Sequence, residues 1–553
     1  MKKLLFVSLI IINLQGYAQR TLGLLQYDIP NTDGYILFAP NTSNNTFLID
    51  KCGLLIHQWN ATCHPGQAVY LLDDGTLLRT GNSNNTIFTS GGTGGFIQKF
   101  DWSGNMTWNY IISDSNQCQH HDVRQLPNGN VLAICWDKHL AADAIQNGKN
   151  PTNIITSMWS EKIVEIQPTG TNTGVIVWEW DLWNHLVQEF DSTKLNYATV
   201  SQHPELVNIN FTTGPPSGQD WIHMNGIDYN AALDQILVST HNLSELWIID
   251  HSTTSAEAAS HTGGNSGKGG DILYRWGNPQ VYNRGLPADQ KLFGQHNPTW
   301  IPAGYPNAGK IIVFNNGLNR PAGNYSSIDI FIPDMDSLNH YPIGVSTAYL
   351  PSSLFWTYTD PNPIWFYGSN ISGVNPLLNG SFFITTGPAG TFFEIDSAKN
   401  TVWKYISPVA NAGILSQGTT PTMNSVFRGT FYAPNFPGFT GHTLIPGTEI
   451  ELNPIHPSIC DSLLGINNLS DGINSMNIYP NPSSEKIYIS LSKGSSEKSL
   501  INILNLLGEN VFSSELQPNK SEIELNISGL KKGMYIINLS AGLKMYHKKI
   551  VLE

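Results

Sequence analysis

The sequence predicts an all-β protein, on three observations. A closing aromatic strand recurs six times, as His57-Gln58-Trp59, Trp108-Asn109-Tyr110, Trp178-Glu179-Trp180, Tyr274-Arg275-Trp276, Trp356-Thr357-Tyr358 and Trp403-Lys404-Tyr405. Between closures lie hairpins turned by Asp74-Gly75, Asn128-Gly129 and Asn379-Gly380, pairs that supply positive φ cheaply. Only 13% of residues are charged, against about 25% in an average domain, and long helical periodicities are absent. Four strands per unit in six units is a six-bladed β-propeller pattern. A β-sandwich would not place an aromatic closure on every fourth strand.

The units follow in order. Most closures come after a strand of the form I-x-x-(I/F)-D: Phe47–Asp50, Ile97–Asp101, Ile163–Gln167, Leu246–Asp250 and Phe392–Asp396. Long insertions are expected at about 181–220 and 251–292. The strand from Ser425 to Tyr432 is expected to close the ring onto the first unit rather than begin a seventh. The propeller is assigned to 19–460, residues 461–475 read as a polar linker, and a compact strand pattern fills 476–553 as a small β-sandwich.

Residues 1–18 read as a secretory signal peptide: Lys2 and Lys3, an apolar run from Leu4 to Leu14, and Gly16-Tyr17-Ala18 before the cut. That run is too short to span a bilayer, and no later one reaches 18 apolar residues. The mature chain is therefore expected to lack a transmembrane segment. A net charge of −13 argues against nucleic acid, which requires basic patches. Export permits disulfides. Cys52–Cys63 and Cys118–Cys135 are possible pairs, and the odd count of 5 cysteines leaves at least one thiol free.

The chemistry is concentrated in a few histidines at strand ends. His120-His121-Asp122 precedes a hairpin, and strand alternation would let only one of the two histidines face a shared cavity. His223 and Asn225, at i and i+2, would face the same side, placing an imidazole beside an amide donor. His241 ends the partner strand, and His296 opens the next unit. First strands line a propeller's channel, so these positions converge although they are far apart in sequence. Three or four imidazoles, with Asp122 as the available carboxylate, are also a conceivable zinc, copper or iron site. No His-Glu-x-x-His motif or Cys/His zinc spacing supports that alternative, and no metal or cofactor is expected.

Two resemblances follow. Tyr479-Pro-Asn-Pro482, Gly533-Met-Tyr535 and Lys548-Lys-Ile-Val-Leu552 resemble the type IX secretion C-terminal sorting domain. That implies export by the type IX machinery across the outer membrane, to the cell surface or the medium. The stretches HHDVRQLPNGNVLA, DWIHMNGIDYNAALDQILVS, ELWIIDH, GDILYRWGNP, FGQHNPTWIP, GKIIVFNNG and GTFFEID resemble the bacterial arylsulfotransferase family over about 45–432. The resemblance implies transfer of a sulfuryl group from an aryl sulfate donor to a phenol acceptor, ping-pong, with no nucleotide sulfate donor. It places the transiently sulfated histidine at His296, its supporting pair at His223 and Asn225, and another channel histidine at His120 or His121, with His121 preferred. Better-known members carry a sulfate-gripping arginine where this chain has His241. Arginine is a permanent planar cation, whereas histidine is only partly charged. Arg320 and Arg428 are the candidate replacements. The alternative from another class is a catalytically silent surface propeller that binds aromatic or sulfated ligands.

Overall fold

The computed structural model describes residues 20–29, 31–154, 156–211, 219–457, 459–460, 476–491, 498–505, 510–541 and 544–553. The expected signal peptide and linker lie outside the described residues. Two compact units divide at Ile455 and His456.

Among the described residues the first unit holds six larger antiparallel sheets besides two small two-stranded ones. The first holds Val426–Tyr432, Tyr35–Pro40, Asn45–Asp50 and Leu55–Asn60 in that spatial order, and the second Pro65–Leu71, Leu77–Asn82, Gly95–Phe100 and Met106–Ile111. The third runs Gln117–Gln125, Val131–Leu140, Ser157–Gly170 and Thr173–Asp181, and the fourth Met224–Asn230, Gln235–Thr240, Glu245–Asp250 and Tyr274–Trp276. The fifth runs His296–Trp300, Ile311–Asn315, Ser327–Phe331 and Trp356–Tyr358. The sixth runs Gly373–Pro376, Phe382–Thr386, Thr391–Ile395 and Thr401–Ile406, with Gly23–Tyr27 added as a fifth strand. The first strands of the six sheets contact one another in a closed cycle. Both chain ends of the unit are paired to distant sequence: Tyr27 lies opposite Trp403, and Phe38 opposite Gly429. The strand ending at Tyr432 thus joins the first sheet, as expected.

All six aromatic closures fall on fourth strands, and their contacts explain the recurrence. The indole of Trp59 donates to the Asp101 carbonyl of the next sheet at 3.0 Å, and Trp108 to Thr173 at 3.0 Å. Trp180 donates to Gly270 at 2.7 Å, Trp276 to Pro351 at 2.8 Å, and Trp403 to Lys51 at 2.7 Å. Each ring packs between neighbouring sheets while its N–H donates to a backbone carbonyl across the gap. In the fifth sheet Trp356 packs on Phe382 of the sixth, with centroids 4.8 Å apart.

Neither of the disulfide pairings left open by the sequence forms. Among the described residues Cys63, Cys118 and Cys135 are free. Cys118 and Cys135 stand on adjacent strands, but Cys135 is opposite Gln119 rather than Cys118.

In the second unit, Met476–Tyr479, Lys486–Leu491 and Glu522–Asn526 form one antiparallel sheet. Asn510–Leu516, Ser499–Leu504, Gly533–Ala541 and Lys544–Leu552 form another. Both sheets feed one apolar core that includes Ile487, Ile489, Ile501, Ile503, Ile537 and Ile550. Alternate residues point inward, as expected for strands with one wet face. No helix among the described residues is long and apolar enough to cross a membrane.

Candidate active site

The site histidines stand at the beginnings of first strands in the third, fourth and fifth sheets. His121 lies within Gln117–Gln125, His223 directly precedes Met224, and His296 opens its strand, while His241 follows the second strand of the fourth sheet. The backbone is bent at each place. His121, His223 and Asn297 have φ of 50°, 57° and 52°, a region that costs a non-glycine residue about 1–2 kcal/mol. The pairing register slips at Ala133/Cys135, Met224/Gly226 and His296/Thr299. Such bulges re-aim side chains beside functional sites.

At the bend the Nδ1 atoms of His120 and His121 come 2.9 Å apart, and only one of the two rings joins the other histidines. His121 reaches the other histidines, while His120 stands behind it, stacked on Trp136 at 4.0 Å. His223 and Asn225 likewise have different surroundings. His223 lies among His121, His241 and Trp136. Asn225 donates its amide to the Gln295 carbonyl at 2.9 Å, and its Oδ1 has no partner among the described residues.

Four imidazoles make a continuous edge-to-face series. Centroid distances are 4.6 Å for His121–His223, 5.3 Å for His223–His241 and 5.4 Å for His241–His296. Convergence of sequence-distant histidines therefore holds for this set.

The tautomer of His296 follows from its partner. Asn316 donates its amide hydrogens to the Gly368 and Ile371 carbonyls at 2.7 and 3.0 Å, so its Oδ1 is left to accept. His296 Nδ1 lies 2.8 Å from that Oδ1 and must carry the hydrogen. Nε2 is then the bare lone pair. Burial, reinforced by His241, holds His296 well below the ordinary imidazole range, so the ring is neutral.

His223 is the exception in charge. Burial opposes its protonation, but the Asp220 carboxylate, with Oδ2 at 2.5 Å from Nδ1, outweighs burial and raises its pKa above the ordinary value. Burial alone would raise Asp220, yet the His223 charge and hydrogen bond bring it down to about 2. His241 is lowered to about 4, first by burial and then by the charge of His223, so it is neutral at pH 7.

Behind His121 runs a buried relay. Burial drives Glu161 well above the carboxylate range and drives His120 and His121 well below the imidazole range. Met224 N–H donates to Glu161 Oε1 at 2.8 Å, Glu161 Oε2 lies 2.9 Å from His120 Nε2, and His120 Nδ1 lies 2.9 Å from His121 Nδ1. Gly92 covers this ring: a Cβ there would stand 2.0 Å from His121 Cε1. Gly92 also lines a cleft of about 440 Å³ whose wall includes Asn82, Asn84, Asn85 and Ser90.

The two arginines lie apart from the series. Arg428 bonds Asp122 Oδ2 at 2.7 Å and the Tyr70 hydroxyl at 3.3 Å. Asp122 is thereby engaged and is not a ligand partner of the histidines. Arg320 stacks over Tyr325 at 4.4 Å and donates to Ser327 Oγ at 2.6 Å. Arg428 lines a cavity of about 770 Å³, with Tyr70, Arg124, Asn297 and Trp300 among its walls. These residues belong to first strands, Arg124 to the one that carries His121, and Asn297 directly follows His296. Asn316, Asp220, Glu161 and Trp136 carry parts of the site that the sequence reading did not single out. Asp220, three residues before His223, was the most legible of them.

Together, a bare Nε2 on His296 and a carboxylate-paired His223, with His241 between them, make a buried imidazole cluster in an all-β scaffold. Residues 25–412 match the family model described as Arylsulfotransferase (ASST), and the chain belongs to that family. Residues 477–553 match the secretion system C-terminal sorting domain, the type IX export signal, so the protein is exported to the cell surface or secreted. A curated relative, ulvan lyase NLR42 of Nonlabens ulvanivorans, is 39% identical over 86 residues, which is 15% of this chain and 15% of that protein. Among solved structures, a protein of unknown function from Bacteroides caccae matches 72% of this chain and 98% of its own, at 11% identity and a TM-score of 0.38. A streptogramin B lyase matches 75% and 100% at 11% identity and 0.34. Scores at that level do not define a fold.

Proposed function

We propose that the six sheets are the blades of a six-bladed propeller, that the C-terminal unit is a β-sandwich, and that sulfuryl transfer runs ping-pong through His296. The carrying observation is the Asn316 amide, which holds His296 Nδ1–H and leaves Nε2 free to attack. In the first half-reaction the Nε2–S bond forms, the S–O bond of an aryl sulfate breaks, and the departing phenolate oxygen takes a proton from His223. In the second, an acceptor phenol gives its proton to the now neutral His223 and attacks sulfur. The N–S bond breaks, and His296 is restored. His121 Nε2–H stabilises charge on the equatorial oxygens, a contribution of the kind worth about 10²–10³-fold. His120 acts through His121. Asn225 and Arg428 shape the surroundings of His296, and Arg320 lies toward the Phe293 side.

The test is transfer from a chromogenic aryl sulfate to several phenols. His296→Ala is expected to lower turnover by at least about 10³-fold and to abolish acid-labile sulfate on protein incubated with donor alone. Full transfer by this variant would end the proposal. The neutral His241, where better-known relatives carry an arginine, favours a second reading, in which the site binds aryl sulfates without turnover. Saturable binding with no phenol released would decide for it.

A further inference from the structure

Away from the channel, the two long insertions meet at a second histidine cluster. His185 follows the short turn Leu182–Asn184, and His261 and Asp271 follow the short helix Ser255–Ala258. His185 is fully buried, and its Nε2 lies 2.8 Å from the Ala258 carbonyl oxygen. A carbonyl only accepts, so Nε2 carries the hydrogen. In a neutral ring the Nδ1 lone pair then faces Asp271 Oδ1 at 2.9 Å. His261 Nδ1 approaches the same oxygen at 2.7 Å. Two acceptors opposed in a buried place call for a positive charge between them. Among the described residues, this is the one group of three donors found within 4.8 Å of one another.

We propose that His185, His261 and Asp271 form a zinc site. Two imidazoles and a carboxylate suit Zn²⁺, and a carbonyl holding the far N–H of a histidine is the usual support of a metal-ligating ring. The support is built in closely: a Cβ on Gly270 would stand 1.9 Å from the Ala258 oxygen and 2.7 Å from His185 Nε2. Trp180 lies parallel to His185 at 5.7 Å and donates to Gly270 O. The His261 side chain is 60% exposed, which leaves the fourth position to water. The ion would tie together residues 86 apart in sequence, joining the third and fourth sheets.

The full chain, stripped with a chelator and dialysed against zinc sulfate, is expected to take up one zinc per chain and to gain in Tm. His261→Ala removes an exposed ligand and should fold normally. It and Asp271→Asn are expected to weaken zinc binding at least tenfold and to lose the Tm gain, whereas His223→Ala keeps both. Failure of the wild type to bind zinc would overturn the proposal. Unchanged stoichiometry and affinity in both His261→Ala and Asp271→Asn would overturn it equally.

Discussion

Two regions carried by the ring of first strands treat charge in opposite ways. Around the cavity that Arg428 lines, cations are matched. Arg428 meets Asp122, and Arg124 meets Asp228 at 2.5 Å. Around the histidines the charges are deliberately incomplete. Asp220 raises the pKa of His223, whereas burial lowers those of His121, His241 and His296. The paired region is stable and chemically quiet. The unpaired region sets a bare nitrogen near a carboxylate-paired imidazole, and that is what the proposed group transfer uses.

The contrast can be broken first in the quiet region. Asp122→Ala strands a buried guanidinium, which should cost about 3–5 kcal/mol. Urea unfolding should show the loss as a lower midpoint, and a loss below about 1 kcal/mol would mean that the pair is not structural. Among the histidines, Asp220→Asn should leave folding largely intact and lower transfer by roughly 10²-fold with poor leaving groups. The sign of its pH effect is fixed. Asp220 raises the pKa of His223, and the general acid works only below that pKa. Removing Asp220 should therefore move the alkaline limb of the first half-reaction to lower pH. An unmoved limb would remove His223 from the acid's role.

A smaller effect is expected at His241. With a pKa of about 4 it offers no charge at pH 7, so His241→Arg should lower KM for an aryl sulfate by roughly tenfold, worth about 1.4 kcal/mol. An unchanged KM would show that sulfate is held elsewhere. The smallest effect is expected for Glu161→Gln. The amide accepts from Met224 N–H and donates to His120 Nε2 just as the neutral acid does, so kcat should stay within about threefold. Glu161→Ala, which breaks the relay, should fall well below that. Equal losses in both would mean that Glu161 is needed as a charge.

Much of the scaffold was legible because it repeats. Trp59, Trp108, Trp180, Trp276 and Trp403 recur in sequence because each spans one inter-sheet gap. Asp-Gly and Asn-Gly mark hairpins by local backbone preference alone. His296, His223 and His241 were also legible, since their positions at strand ends follow from the repeat. The relation of His120 to His121 was legible in part. Only one of the two joins the other histidines, as alternation requires, but alternation assumes a regular strand, and at the φ of 50° of His121 their Nδ1 atoms meet. Asn316 and Glu161 were invisible for another reason: an amide or carboxylate on a strand has no pattern of its own, and its meaning lies in a ring 20 or 41 residues away.

By itself the sequence determined the all-β class, the six closures, the family and the identity of the histidines, because these depend on residue type and spacing along one chain. Only the tertiary structure decided which imidazole a carboxylate favours in its protonated form, which nitrogen of His296 is bare, that Asp122 serves Arg428, and that His185, His261 and Asp271 meet. Protonation and pairing depend on burial and on neighbours brought together by folding, and no spacing along the chain encodes either.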